Sequence, residues 1–89
     1  MKRDLKRRAI HRLRIAAGQI RGLERMVAAE KYCVDIIYQS LAIKEALSGF
    51  ERLILENHLA THVAEQMRTG RQARAIRELL PLYRLSKRQ

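Results

Sequence analysis

Residues 32–67, YCVDIIYQSLAIKEALSGFERLILENHLATHVAEQM, decide how this chain folds. The stretch holds no proline, and Gly49 alone weakens it. Val34, Ile37, Leu41, Ala42, Ala46, Leu47, Phe50, Leu53, Ile54 and Leu59 recur at spacings of three and four, the period of an amphipathic helix. The pattern predicts one helix from about Tyr32 to about Met67, roughly 50 Å long at 1.5 Å per residue. Working outward, Leu5, Ala9, Leu13, Ala16, Ile20, Leu23 and Val27 form a single apolar stripe that predicts a first helix over residues 4–28. Ala28 to Lys31 read as a short break. On the other side, Thr69-Gly70 ends the long helix with a residue suited to the left-handed cap position. A third helix is expected from about Arg71, with Ala75, Ile76, Leu79, Leu80 and Leu82 on its apolar side. Pro81 is expected to bend or break it, and the tail Ser86–Gln89 to fray.

The chain is thus read as a single all-α domain over residues 1–89 with three helices. A helix of this length cannot be covered by a first helix of about 25 residues, so the remaining apolar surface requires a second copy of the chain. A core poor in aromatic side chains and filled by Leu, Ile, Val and Ala is that of a helix bundle. Gly18 and Gly22, one turn apart, would admit another backbone closely, and a packing role is the favoured reading.

Charge points to a partner. The formal net charge is +10. Residues 1–25 carry nine Lys or Arg against two acids and residues 68–89 seven against one, whereas the centre has three bases against six acids. Basic ends around an acidic centre form a polyanion-binding surface, and nucleic acid is the expected partner. The single cysteine, Cys33, excludes an intramolecular disulfide framework. No apolar run approaches the ~20 residues of a membrane span. The N-terminus is charged from Lys2 and lacks the apolar stretch of a secretory signal, so a cytoplasmic location is expected.

Cys33, His58 and His62 carry the chemistry. His58 and His62 stand at i and i+4 and share one helix face, so they can share a metal. Cys33 lies 25 positions before His58, roughly 37 Å away along a continuous helix. The two cannot meet within one chain. Two copies paired antiparallel about a two-fold axis near residues 46–47 would set Cys33 of one beside His58 and His62 of the other, giving two identical sites. One thiolate and two imidazoles suit Cu(I), Zn(II) or Ni(II); Cu(I) accepts three ligands, and Zn(II) would need a fourth. A Cys-His pair also raises nucleophilic catalysis, but three helices with so few breaks offer no oxyanion loop or substrate cleft, so no enzyme is expected.

Arg12-Leu13 followed by Gly18-Gln19-Ile20-Arg21-Gly22, then Tyr32-Cys33-Val34-Asp35, then Asn57-His58-Leu59 with His62 four residues after His58, resemble the copper-sensitive operon repressor (CsoR) family over nearly the whole chain. The resemblance implies a three-helix protomer. It implies an antiparallel four-helix-bundle dimer, with dimers pairing into a tetramer. It further implies operator double-stranded DNA bound without a helix-turn-helix, through basic residues of the first two helices, and released when metal binds, so that metal-export genes are derepressed. Arg12, Arg14, Gln19 and Arg21 are the expected DNA contacts.

Cys33 and His58 fall on ligand positions shared by the family's metal sensors. His62 stands where many copper sensors carry a second Cys, although some carry His, and nickel/cobalt and formaldehyde sensors also use a Cys-His-His set. Tyr32 and Glu78 match residues of the copper branch that would hydrogen-bond the far nitrogen of a ligand histidine. The additional N-terminal His of the nickel/cobalt branch aligns with Met1, and the N-terminal proline of formaldehyde sensors has no counterpart. The persulfide-sensing branch lacks the His present here. Cu(I) is therefore the favoured effector over Ni(II), Co(II) or Zn(II). The alternatives are a sensor of the same fold for nickel, cobalt or formaldehyde, and an effector-free architectural DNA-binding protein. His11 is expected to face solvent or DNA, and Met26 and Met67 to lie in the core.

Overall fold

The computed structural model describes residues 1–87, and Arg88 and Gln89 of the expected fraying tail lie outside them. In chain order come α1 (Arg3–Ala28), α2 (Cys33–His58), a π-helical turn (Leu59–Val63), α3 (Ala64–Arg68) and α4 (Gln72–Ser86). The described residues contain no strand. The predicted long helix is present as α2, the π turn and α3 in unbroken succession. The chain divides into two compact units, Met1–Leu55 and Glu56–Gln89.

In the first unit α1 closes on a tight cap. The Glu30 N–H donates to the Val27 carbonyl and the Lys31 N–H to the Met26 carbonyl, each at 3.0 Å. This pairing requires a left-handed residue just past the helix, and Glu30 takes it with φ +53°. The Tyr32 carbonyl then receives the Asp35 and Ile36 N–H groups, which starts α2, and Asp35 places an acid in the first turn where the helix dipole favours it. Two observations fix α1 against α2. The Arg12 Nη1 lies 2.9 Å from where a Cβ on Gly49 would stand, and Gly22 and Gln39 line one groove. Both pairs are nearly equidistant from the Glu30 turn, so α1 and α2 form an antiparallel hairpin.

Ala9 and Ala16 are buried on α1, and Leu5, Gln19, Leu23 and Met26 are half-buried. Leu13, Ile20 and Val27, expected on the same stripe, are exposed. They recur every seven residues about 40° beyond Ala9 and Ala16, and the chain's own second helix does not reach that edge. On α2 the covered line runs through Ile36, Ile43, Leu47, Phe50 and Leu53. Val34, Ile37, Tyr38 and Leu41 form a second line left open, with Ile37 58% and Tyr38 68% exposed. The apolar surplus expected from the sequence is thus real and lies on both helices. A Cβ at Gly18 or Gly22 would touch only the Arg21 or Arg25 guanidinium, at 3.6 and 3.7 Å, and no backbone of another element. The favoured packing role is not realised within the chain.

In the second unit α3 ends as predicted. Gly70 has φ +76°, the Arg71 N–H donates to the Gln66 carbonyl at 2.7 Å, and the Gly70 N–H to the Met67 carbonyl at 3.4 Å. This pair of bonds is the left-handed helix stop in which glycine avoids the Cβ clash. Pro81 neither ends nor divides α4, so of the bend or break expected there the break does not occur. It removes one N–H bond to the Arg77 carbonyl, but both residues are exposed, so water can take the freed acceptor. Ser86 closes α4 with its Oγ donating to the Tyr83 carbonyl at 2.7 Å. Met26 is half-buried, whereas Met67 is 58% exposed and not part of a core.

Candidate functional site

His58 is the last residue of α2, and His62 lies in the π turn that follows. The turn is defined by the Ala64 N–H reaching back five residues to the Leu59 carbonyl. Beside it the Thr61 hydroxyl donates to the Asn57 carbonyl at 2.7 Å, which supplies that acceptor with a partner. The two Nδ1 atoms stand 3.2 Å apart, with ring centroids 5.1 Å apart and planes inclined by 45°. At that distance the nitrogens can share one proton, one as donor and the other as acceptor. They also fit one metal ion. Two metal–nitrogen bonds of about 2.0–2.1 Å spanning this gap meet at roughly 100°, close to a tetrahedral angle. The pairing foreseen from the i, i+4 spacing is therefore present.

Glu78, the α4 residue matched to the family, has both oxygens engaged. The Gln66 Nε2 donates to Oε1 at 3.0 Å, and Arg74 Nε forms an ion pair with Oε2 at 3.6 Å. The Gln66 hydrogen bond holds the Glu78 carboxyl below its ordinary range. Burial opposes this, and the charges of Arg74 and His58 act in the same direction as Gln66. Gln66 and Arg74 were not foreseen; the available signal was a glutamine four residues past His62, a polar residue extending the His58–His62 spacing.

Cys33 is the first residue of α2, with a free and exposed thiol, and Tyr32 immediately before it is exposed. No group of three or more His, Cys, Asp or Glu suited to a metal forms among the described residues of the single chain.

The four expected DNA residues divide between two faces of α1. Arg14 and Arg21, seven positions apart, share a side with Arg3 and Arg7, and all four are exposed. Arg12 and Gln19 lie about 160° away from Arg14 and Arg21. Arg12 lies over Gly49 of α2, and Gln19 is half-buried with its Oε1 covered and without a hydrogen-bond partner. His11 is exposed among arginines, as expected.

An all-helical chain with a basic first helix and two histidines whose Nδ1 atoms face each other fits, as a class, a metal-responsive regulator of nucleic acid. Residues 5–84 match the metal-sensitive transcriptional repressor family, and the chain belongs to it. The family is one of transcriptional repressors rather than enzymes, and the partner of a transcriptional repressor is DNA. Among relatives, the copper-sensing transcriptional repressor CsoR of Mycobacterium ulcerans is 39% identical over 77 residues, covering 86% of this chain and 66% of that protein. The copper-sensing repressor CsoR of Bacillus subtilis is 36% identical over 74 residues, covering 83% of this chain and 73% of that one. The matched stretch thus spans about two thirds of the first relative's length. The crystal structure of the copper-sensing repressor CsoR with Cu(I) from Geobacillus thermodenitrificans superimposes with a TM-score of 0.88 at 32% identity, covering 96% of this chain and 88% of that one. No described helix is long and apolar enough to cross a membrane.

Proposed function

We propose that this protein is a Cu(I)-responsive repressor that binds operator double-stranded DNA in the cytoplasm when metal-free and leaves it when the ion binds, derepressing metal-export genes. The observation that carries the reading is the 3.2 Å approach of the His58 and His62 Nδ1 atoms, in a chain whose relatives are copper-sensing repressors. Cys33 supplies the third donor from a second copy. It opens α2 whereas His58 closes it, 25 positions later in the sequence. The exposed apolar lines on α1 and α2 support an antiparallel four-helix-bundle dimer that brings the two ends together, with dimers pairing into a tetramer. The bound ion supplies positive charge and a cross-link between copies. Arg14 and Arg21 contact phosphate from the open side of α1, with Arg12 and Gln19 acting at its α2 side. Tyr32 orients a ligand histidine, and Glu78, whose oxygens are held by Gln66 and Arg74, acts on the site from behind its ligands. The ion acts as a switch to the extent that it binds the DNA-released form more tightly than the DNA-bound form.

The test uses a duplex selected from a random pool by the metal-free protein. Anaerobic Cu(I) should weaken its binding at one ion per chain. Chains carrying Cys33→Ala, co-assembled with chains carrying His58→Ala and His62→Ala, should regain one Cu(I) site per heterodimer, because one of the two shared sites is intact. No Cu(I) binding in verified heterodimers would contradict the shared site. Nickel or cobalt binding without Cu(I) preference would overturn the assignment of the ion.

A further inference from the structure

We propose that Gln66 is a positioning residue of the metal response: its side-chain amide holds the Glu78 carboxylate against α3, and through Gln66 a change at the histidine pair reaches α4. This rests on the metal-responsive reading above and adds the route by which the second unit transmits it.

Three observations meet at this residue. Gln66 is a buried polar side chain, 8% exposed, with Nε2 donating to Glu78 Oε1 at 3.0 Å. Its Oε1 is covered and has no partner. The amide therefore has one usable orientation, because a flipped amide would set its oxygen against the carboxylate, acceptor against acceptor. The second observation is main-chain. The Gln66 carbonyl accepts the Arg71 N–H at 2.7 Å. One residue thus ties the end of α3 to the turn entering α4 through its backbone, and to the middle of α4 through its side chain.

The third observation is the register of His58, His62 and Gln66. In a regular α-helix four residues overshoot one turn by about 40°, so two such steps carry a side chain well round the axis. In a π turn, closed by bonds to the fifth residue, four residues fall short of a turn. The π turn at Leu59–Val63 offsets part of the α-helical drift, and Gln66 follows His62 at the same interval of four that separates His62 from His58. A change in the separation of the two histidines therefore alters the turn, and the turn leads directly into the helix that carries Gln66. An unpaired buried oxygen is what a joint needs that must be able to let go: the amide is held from one side only.

A merely structural role would make Gln66 a stabiliser of the α3–α4 contact, with no bearing on the response. Gln66→Leu separates the two. Operator affinity of the parent protein should fall at least tenfold on adding Cu(I). The Gln66→Leu protein should still bind one Cu(I) per chain and should bind the duplex metal-free within about threefold of the parent, yet Cu(I) should change its operator affinity less than threefold. A lowered melting temperature with the full Cu(I)-induced change would overturn the proposal. A parent protein whose operator affinity ignores Cu(I) would overturn the functional reading and this inference with it.

Should Gln66→Leu fail to fold, the parent protein still decides by nuclear magnetic resonance. The Gln66 side-chain amide signals should be slow to exchange with solvent in the metal-free protein and should move when Cu(I) is added. In metal-free Glu78→Ala they should become fast-exchanging. Amide signals that ignore both Cu(I) and the loss of Glu78 would refute the role.

Discussion

Glu30→Gly tests the geometry of the connection that presents Cys33. Glu30 takes φ +53° to close the α1 cap, the role that Gly70, at φ +76°, takes after α3. An L-residue held in this region is about 1–2 kcal/mol worse than in its preferred conformations, and glycine escapes that penalty. The gain is reduced by about 0.4–1 kcal/mol, because glycine also frees the unfolded chain. Loss of the carboxylate is close to neutral: it is unfavourable beside the α1 C-terminus and favourable before the α2 N-terminus. The net is a stabilisation of about 0.5–1 kcal/mol, or roughly 2–8 °C in melting temperature for a chain of this size. Circular dichroism melts at one fixed chain concentration measure it, since self-association makes the midpoint concentration-dependent. Glu30→Ala keeps the Cβ and should show no such gain, and Gly70→Ala should lose about 1 kcal/mol. A Glu30→Gly protein no more stable than its parent, beside a clearly destabilised Gly70→Ala, would refute the left-handed assignment at Glu30.

Arg14→Ala and Arg21→Ala should each weaken operator binding and reduce the slope of log affinity against log salt by about 0.9 for each phosphate no longer neutralised, while metal affinity is retained; an unchanged slope in both would move the DNA surface off the outer side of α1. Cys33→Ala should fold and bind DNA but lose the thiolate-to-copper absorption and the release by Cu(I), because the soft ion loses its softest ligand; retained release would exclude Cys33 from the site. Glu78→Ala should leave the Cu(I) stoichiometry intact and lower affinity by roughly 10–100-fold, the range for loss of a group that supports a metal site from outside its ligand set, read by competition with a Cu(I) chelator. Because the Glu78 carboxyl is depressed in the folded chain, its charged form adds stability above the ordinary value of 4.5, and that contribution disappears as pH falls through the depressed value. The melting-temperature gap between parent and Glu78→Gln should therefore be widest above 4.5 and close in stronger acid; a gap that widens on acidification would reverse the sign.

The helices were legible because their signals are local. The apolar period over residues 32–67, the four-residue break before it and Gly70 after it are each contained in a few neighbouring residues, and the observed ends fall within a residue or so of the expected ones. Which side of each helix is covered was less legible. On α1 the stripe ran one column too wide, since Leu13 and Ala16 are both apolar and only packing against α2 distinguishes them. The DNA residues suffered from the same ambiguity: Arg12 and Arg14 are two positions apart in a run of arginines, yet they point to nearly opposite sides. The break expected at Pro81 is absent for a related reason. The proline costs one hydrogen bond, and an exposed turn with water at hand absorbs it.

The histidine pair shows where a sequence reading of a site stops. Spacing of four placed His58 and His62 together, and they are together, but the same spacing is compatible with an α turn or a π turn. Only the Ala64–Leu59 bond distinguishes the two. That difference decides where the next residues fall around the helix, and so whether Gln66 faces Glu78. No single residue in Leu-Ala-Thr-His-Val announces the wider turn; it follows from how the chain divides its hydrogen bonds between Asn57, Leu59, Thr61 and Ala64. A wider turn is also the natural place to store a response. It already departs from the regular helix, so a small shift of either histidine can be absorbed there and passed on to Gln66, with α2 left undisturbed.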